Sequence, residues 1–260
     1  MSPGFDDDLI ACAGLVRRAD PSRFQAAMAA PVAARGVLFA VYAFNVEVAR
    51  APWVTQEPMI AEMRLQWWAD ALEEIRTGGT VRRHEVVTPL ARVLDAEGAA
   101  LLIGLVEARR RDTERAPFGD EAAFLGYLEA TSGNLIRAAA RALGPAQEDV
   151  LRDAGLALGL ANWFRAIPEL EAAGRSPLPD GRPEAVRALA HEGLRRLATA
   201  RGARAGVSRA AAPALLPLWE AGPVLRAAAR HPGSVAGGTL DPAPARSRLT
   251  LMLRAISGRW

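Results

Sequence analysis

An all-α fold is predicted by three features of the sequence. Half of the 260 residues are hydrophobic but only 6% are aromatic, and alanine and leucine, both strong helix formers, dominate the apolar half. Runs of β-branched residues are nearly absent. Apolar residues recur at three- and four-residue spacing through nearly every segment, with breaks at proline, glycine and aspartate.

These breaks delimit the helices in order. A first helix over 6–17 follows an acidic start and stops before Asp20-Pro21, and a second over 22–29 stops before Pro31. A long apolar helix over 33–50 ends at Pro52, and the next, over 57–77, ends at Gly78-Gly79. The pattern then predicts helices over 86–95, 97–113 and 120–142, the last closed by Gly144-Pro145. Helices over 146–172, 182–203, 208–221 and 243–257 complete the set. Two stretches read as ordered loops, "PWVTQEP" at 52–58 and "AAGRSPLPDGRPE" at 172–184, because proline and glycine cannot continue a helix. With no internal repeat and no linker, residues 1–260 are read as one helical domain, in which 231–245 is irregular and 246–260 forms a C-terminal amphipathic helix.

Composition excludes several function classes. Net charge is only +3, and all 32 basic residues are arginine. A base-composition bias accounts for arginines scattered among alanines, and phosphate or anionic-lipid binding is the alternative. No basic face is interleaved with aromatics, so nucleic acid is not an expected partner. The single cysteine, Cys12, excludes an internal disulfide and reads as a small buried residue. There is no P-loop, no dinucleotide glycine fingerprint and no Cys/His metal spacing, and Ser132 and Ser176 lack an evident base. The acidic N-terminus does not read as a targeting segment, and no uncharged apolar run reaches the ~18 residues of a membrane span. The expected location is the cytoplasm, with peripheral contact at the inner face of the membrane through 246–260, where Leu249, Leu253 and Ile256 share a face among Arg246, Arg248, Arg254 and Arg259. Docking of that helix on the bundle is the alternative.

Two helices carry polar residues in apolar surroundings. In "GVLFAVYAFNVEVARA", 36–51, Tyr42, Asn45 and Ala49 follow one face. In "DVLRDAGLALGLANWFRAIPELEA", 149–172, small residues Gly155, Gly159 and Ala161 permit a close helix approach, and Asn162, Arg165 and Glu169 follow at helical spacing.

Here the chain resembles the squalene/phytoene synthase family. That resemblance implies an all-α bundle of the isoprenoid (trans-prenyltransferase) synthase type. Catalytic members join two prenyl diphosphates head to head with Mg²⁺ held by two aspartate-rich motifs on facing helices. "LANWFRAIPELEAAGRSPLP", 160–179, keeps the second motif at Leu160, Asn162, Arg165, Glu169, Gly174, Arg175, Leu178 and Pro179, with Ala161 in place of threonine. "YAF", 42–44, keeps the start of the first motif, with Asn45 and Val46 where Cys-Arg is usual. "MRLQWWADALEEIRTG", 63–78, and "YLEATSGNLIRAAARALG", 127–144, are similar to the family's intervening helices. Similarity is clear over about 10–180 and weak beyond.

By this resemblance the metal-binding aspartate positions fall on Ala49, Arg50, Trp53, Ala166 and Leu170. None offers the carboxylate oxygens that Mg²⁺ requires. Glu47, Glu62, Asp70, Glu73, Glu74, Glu129 and Glu169 are the other acids on the implicated helices. Glu47 lies two residues from a ligand position and so points about 160–200° away. No cofactor is therefore expected, and Mg²⁺ only if the chain is an active synthase. The expected remnant ligand-binding residues are Tyr42, Asn45, Arg64, Asn162, Arg165 and Arg175.

"AFNVEVARA" followed by "EPMIAEMRLQWWADALEEI" looks most like the branch that includes the mitochondrial complex I assembly factor and its bacterial relatives. This implies a non-catalytic binding or assembly protein whose partner is a subunit of a membrane respiratory complex. An active head-to-head prenyl diphosphate transferase and an isoprenoid or lipid carrier remain the alternatives.

Overall fold

The computed structural model describes residues 6–54, 57–114, 116–240 and 244–260, with side chains from 247 in the last stretch. Residues 55–56 of the 52–58 loop, 241–243 of the irregular stretch and the side chain of Arg246 lie outside the described residues. The aspartates that break the apolar pattern act as helix caps. Asp6 accepts from the Leu9 N–H at 3.0 Å to start α1 (Asp7–Ala19), and Asp20 accepts from Arg23 N–H at 2.9 Å to start α2 (Pro21–Ala29). The apolar α3 (Val32–Arg50) runs into a 3₁₀ turn, Ala51–Trp53. Pro58 opens α4 (Pro58–Thr77), where its missing N–H is not needed, and Gly78 closes it at φ 68°. After α5 (Val87–Val93), Asp95 caps α6 (Ala96–Arg109), which tightens into a 3₁₀ turn over Arg110–Thr113.

The predicted helix 120–142 is α7 (Glu121–Leu128) and α8 (Asn134–Leu143), joined by a π turn at Glu129–Gly133. Then come α9 (Glu148–Ala172), α10 (Pro183–Gly202), α11 (Ala221–Arg230), the short α12 (Gly233–Ala236) and α13 (Pro244–Ser257). Two boundaries differ from expectation. The predicted helix over 208–221 is a 3₁₀ segment, Ala212–Trp219, because its prolines interrupt α-helical hydrogen bonding. The unpredicted α11 begins at Gly222-Pro223, a pair that reads as a stop but sits in a first helical turn, where proline is tolerated. Among the described residues there is one isolated β-bridge, Ala146 to Val207, and no strand.

A connected core runs through the described residues, with α3 packed on α1, α2, α5 and α8, and α9 packed on α8, α10 and α11. Phe39, Phe44, Phe124 and Phe164 are fully buried, each contributing about 1.5–3 kcal/mol of apolar burial. The segment Val32–Trp53 is long and apolar enough to span a membrane, with a mean hydropathy of 1.5 over an 18-residue window, but it carries Arg35, Glu47 and Arg50 and so is not an uncharged run. It is the core helix of the bundle, flanked by other helices along its length. The paired tryptophans divide their roles: Trp68 is buried against Phe44, and Trp67 lies under Arg82 at 5.0 Å.

Cys12 is fully buried and its thiol donates to the Glu85 carbonyl at 3.4 Å. Burial, reinforced by Glu85, Asp8 and Asp6, pushes the thiol up to about 12. An ordinary cysteine ionises near ~8.5. Cys12 in the native protein is therefore expected to resist a thiol reagent at mildly alkaline pH and to react fully in denaturant. Rapid labelling of the native chain would contradict its burial.

Candidate functional site

The small-residue stretch of α9 is pressed against the π turn. A Cβ on Gly155 would stand 2.5 Å from the Gly133 Cα, and one on Gly159 would stand 3.1 Å from the Ser132 Cβ. Beside this contact, lined by α9 from Gly159 onward, lies a cavity of about 750 Å³, within the range of small-molecule sites.

One wall comes from α3 and its 3₁₀ turn, where Asn45, Ala49 and Trp53 repeat every four residues and line the cavity. The facing wall comes from α9, where Gly159, Asn162, Ala166, Leu170 and Ala173 present one face. Asn45 is 8% exposed, and among the described residues neither its amide nor that of Asn162 has a hydrogen-bond partner. Four of the five positions that the resemblance gave to aspartates thus face the cavity as Ala49, Trp53, Ala166 and Leu170. Arg50 faces solvent and pairs with Glu47 at 3.2 Å.

Of the residues expected in a ligand site, Asn45, Asn162, Arg165 and Arg175 line the cavity. Tyr42 and Arg64 do not. Tyr42 is one turn deeper, 3% exposed, with Arg23 over its ring at 5.8 Å. Burial, offset in part by Arg23, raises its hydroxyl above the usual range. Arg64 lies exposed on α4, beside the buried stripe of Ala61, Leu65, Trp68 and Leu72.

Arg165 and Arg175 are held by the protein itself. Arg165 donates to Glu220 at 2.7 Å, and Ser22 and Ser247 also donate to this buried carboxylate, at 2.7 and 3.2 Å. Arg175 donates to the carbonyls of Glu114 and Asp112 and stacks on Trp53 at 4.5 Å. The Trp53–Arg175 pair therefore bridges the two walls at one side of the cavity, an arrangement worth about 0.5–2 kcal/mol.

Sequence reasoning missed the third wall, built by the turn after α6 together with α7. Asp112 is 8% exposed and accepts from the Tyr127 hydroxyl at 2.8 Å and from Arg109 at 2.9 Å, while Arg109 donates to Tyr127 at 2.7 Å. Burial, helped by Asp112, raises Tyr127 well above its usual range despite the opposing Arg109. Burial pulls Arg109 down, but Tyr127 and Asp112 more than reverse this, so it stays charged. Phe118, Phe124, Tyr127 and Trp163 form an aromatic cluster beside them, with ring centroids 5.2–5.9 Å apart. The run "RRRDTER" carried no signal for this wall, since a charge run ordinarily reads as a solvated helix end.

The donor chemistry does not fit a Mg²⁺-diphosphate centre. Asp20 pairs with Arg23, Asp112 with Arg109 and Glu114 with Arg111, so three of the cavity's carboxylates already hold cations. Glu169 is exposed at the rim. Elsewhere Glu73, Glu74 and Glu129 pair with Arg76, Arg82 and Arg152. No group of three or more His, Cys, Asp or Glu side chains with metal-site geometry occurs among the described residues.

Comparison with known proteins places this geometry. A dehydrosqualene synthase crystallised with a ligand superposes with a TM-score of 0.77 at 15% identity, covering 96% of this chain and 95% of that one. A squalene synthase from Alicyclobacillus acidocaldarius superposes at 0.70 and 16% identity, covering 86% and 94%. These likenesses show the isoprenoid synthase fold. By sequence, a Drosophila melanogaster protein named as a homolog of NADH dehydrogenase (ubiquinone) complex I, assembly factor 6, is 30% identical over 177 residues, which is 65% of this chain and 52% of the relative. The Homo sapiens complex I assembly factor 6 is 24% identical over 162 residues, 60% of this chain and 48% of the relative. The chain spans about half the length of the curated relatives it matches. The family profile for squalene/phytoene synthase matches residues 16–254, and the chain belongs to that family.

Proposed function

We propose that this chain is a non-catalytic binding protein of the squalene/phytoene synthase family that acts in assembly of a membrane respiratory complex of the complex I type. The observation that carries this reading is the pairing of Ala49 and Trp53 on one wall with Ala166 and Leu170 on the facing wall, where side chains without oxygen ligands meet across the cavity. Among the described residues, three of the four carboxylates that line the cavity are occupied by arginine and the fourth, Glu169, is exposed, so diphosphate departure would lack the metal that ordinarily stabilises it. The two relatives named as complex I assembly factors support the choice of complex. On this reading the partner is a subunit of that complex rather than a nucleic acid.

Deletion of the gene in its host tests the reading. Complex I activity is expected to fall, and carotenoid, hopanoid and sterol-precursor levels to stay unchanged. Normal complex I with missing isoprenoid products would reject it.

The aromatic wall of Phe118, Tyr127 and Trp163 favours a second reading, retention of an isoprenoid or other lipid chain in the cavity. Delipidated protein is expected to bind a prenyl alcohol saturably, and no saturable binding would remove that reading. Peripheral membrane contact belongs to the same proposal. α13 docks through Leu251, leaving Leu249, Met252, Leu253 and Ile256 exposed at 58–83% on the outward arc. Leu253→Glu is expected to release the protein from vesicles containing phosphatidylglycerol without changing its folded stability. Unchanged co-sedimentation would contradict contact through α13.

A further inference from the structure

Charge around the central cavity is already balanced. Among the described residues five arginines line it, and four of them pair with acids: Arg23 with Asp20, Arg109 with Asp112, Arg111 with Glu114 and Arg165 with Glu220. Arg175, the fifth, is held by two backbone carbonyls and by Trp53. Glu169, which has no ion pair among the described residues, matches it in number. An anionic head entering the cavity therefore has to draw arginines away from partners they already hold.

The groups without partners are neutral. Asn45 of α3 and Asn162 of α9 line the cavity, and neither side chain has a hydrogen-bond partner among the described residues. The Ser132 hydroxyl also lacks a partner but is enclosed by protein, whereas the amide atoms of Asn45 and Asn162 are not enclosed and open on the cavity. Asn45 is 8% exposed and Trp53, two turns along α3, is 46% exposed, so Asn45 marks the inner end of its wall. An amide at that depth without a partner is unfavourable, and a ligand that supplies one displaces no existing bond.

What the amides favour follows from their chemistry. Each offers donors and an acceptor. A hydroxyl is donor and acceptor at once, so it can answer one amide with each function; a carbonyl or ether answers the donors alone. Next to Asn162, Trp163 joins Phe118 and Tyr127 in an aromatic wall suited to an apolar chain.

We propose that the cavity binds a lipid alcohol, its uncharged hydroxyl held by the amides of Asn45 and Asn162 and its chain laid along Phe118, Tyr127 and Trp163. This rests on the reading that the cavity retains a lipid chain, and it adds which head the cavity selects: a free hydroxyl in preference to a diphosphate.

Binding to the delipidated full chain is read from the fluorescence of Trp53 and Trp163, which line the cavity. Three probes of equal carbon number in the chain are compared: geranylgeraniol, geranylgeranyl diphosphate with and without Mg²⁺, and phytane, a hydrocarbon without a head. Geranylgeraniol is expected to bind about tenfold more tightly than either of the others, the equivalent of one hydrogen bond of ordinary strength. Asn45→Leu and Asn162→Leu, which change volume little, are each expected to erase most of that preference and to keep phytane binding, which also reports that the variants fold. A diphosphate that binds as tightly as the alcohol, an alcohol no tighter than phytane, or a preference that survives both substitutions would overturn the choice of head and leave the lipid reading standing. No saturable binding of any probe would remove both.

Discussion

Gly155→Leu is expected to destabilise the protein by about 3 kcal/mol or more, toward the upper end for a single substitution. The obstacle is backbone rather than a movable side chain. A Cβ at residue 155 would lie 2.5 Å from Gly133 Cα and 3.1 Å from Gly133 N, so α9 and the π turn would have to separate. That separation would also open one end of the cavity. Gly126 offers a matched control: it sits inside α7, and a Cβ there meets nothing within 4 Å. Gly126→Ala is expected to stabilise by about 0.5–1 kcal/mol through reduced chain entropy. Denaturant midpoints with unchanged slopes measure both effects. A wild-type midpoint for Gly155→Leu would mean that the two segments do not touch.

Asp112→Ala is expected to cost about 3–5 kcal/mol, the range for removing one partner of a buried ion pair. Asp112 holds both Arg109 and the Tyr127 hydroxyl. Without it, Arg109 is a half-buried cation whose enclosed Nε already lacks an acceptor. Replacing both charges by apolar residues of similar volume together with their shared hydroxyl partner, Arg109→Met, Asp112→Leu and Tyr127→Phe, is expected to recover most of the loss, since no buried polar group is then left without a partner. A double-mutant cycle reads the coupling. Additive losses would show that the two side chains act independently.

Much of the fold was legible because local chemistry and tertiary packing agree. Asp20, Asp95 and Asp120 break the apolar periodicity and cap the helices that follow. The small residues at 155 and 159 announced a close contact, and Gly133 in the π turn supplies it. Legibility failed where a local signal was ambiguous. Gly222-Pro223 reads as the end of a helix, whereas it lies in the first turn of α11, which packs on α10.

The cavity was half legible. Helical spacing placed Asn45 and Ala49 on one wall and Asn162, Arg165 and Glu169 on the other. Spacing alone also put Tyr42 on the α3 face, but it carries no information about depth, and Arg23 from α2 covers that turn. The wall of Arg109, Asp112 and Tyr127 joins residues from two separate helices through side-chain contacts, and a single sequence does not encode such pairing in its periodicity.

On the proposed function, the cavity keeps the family's shape without its metal-diphosphate chemistry. The most direct measurement is pyrophosphate release by the purified full chain supplied with Mg²⁺ and either farnesyl or geranylgeranyl diphosphate. The expected result is release indistinguishable from a protein-free control with both substrates. Mg²⁺-dependent, protein-dependent release that yields a head-to-head product would contradict the claim and restore the chain to the catalytic members of its family.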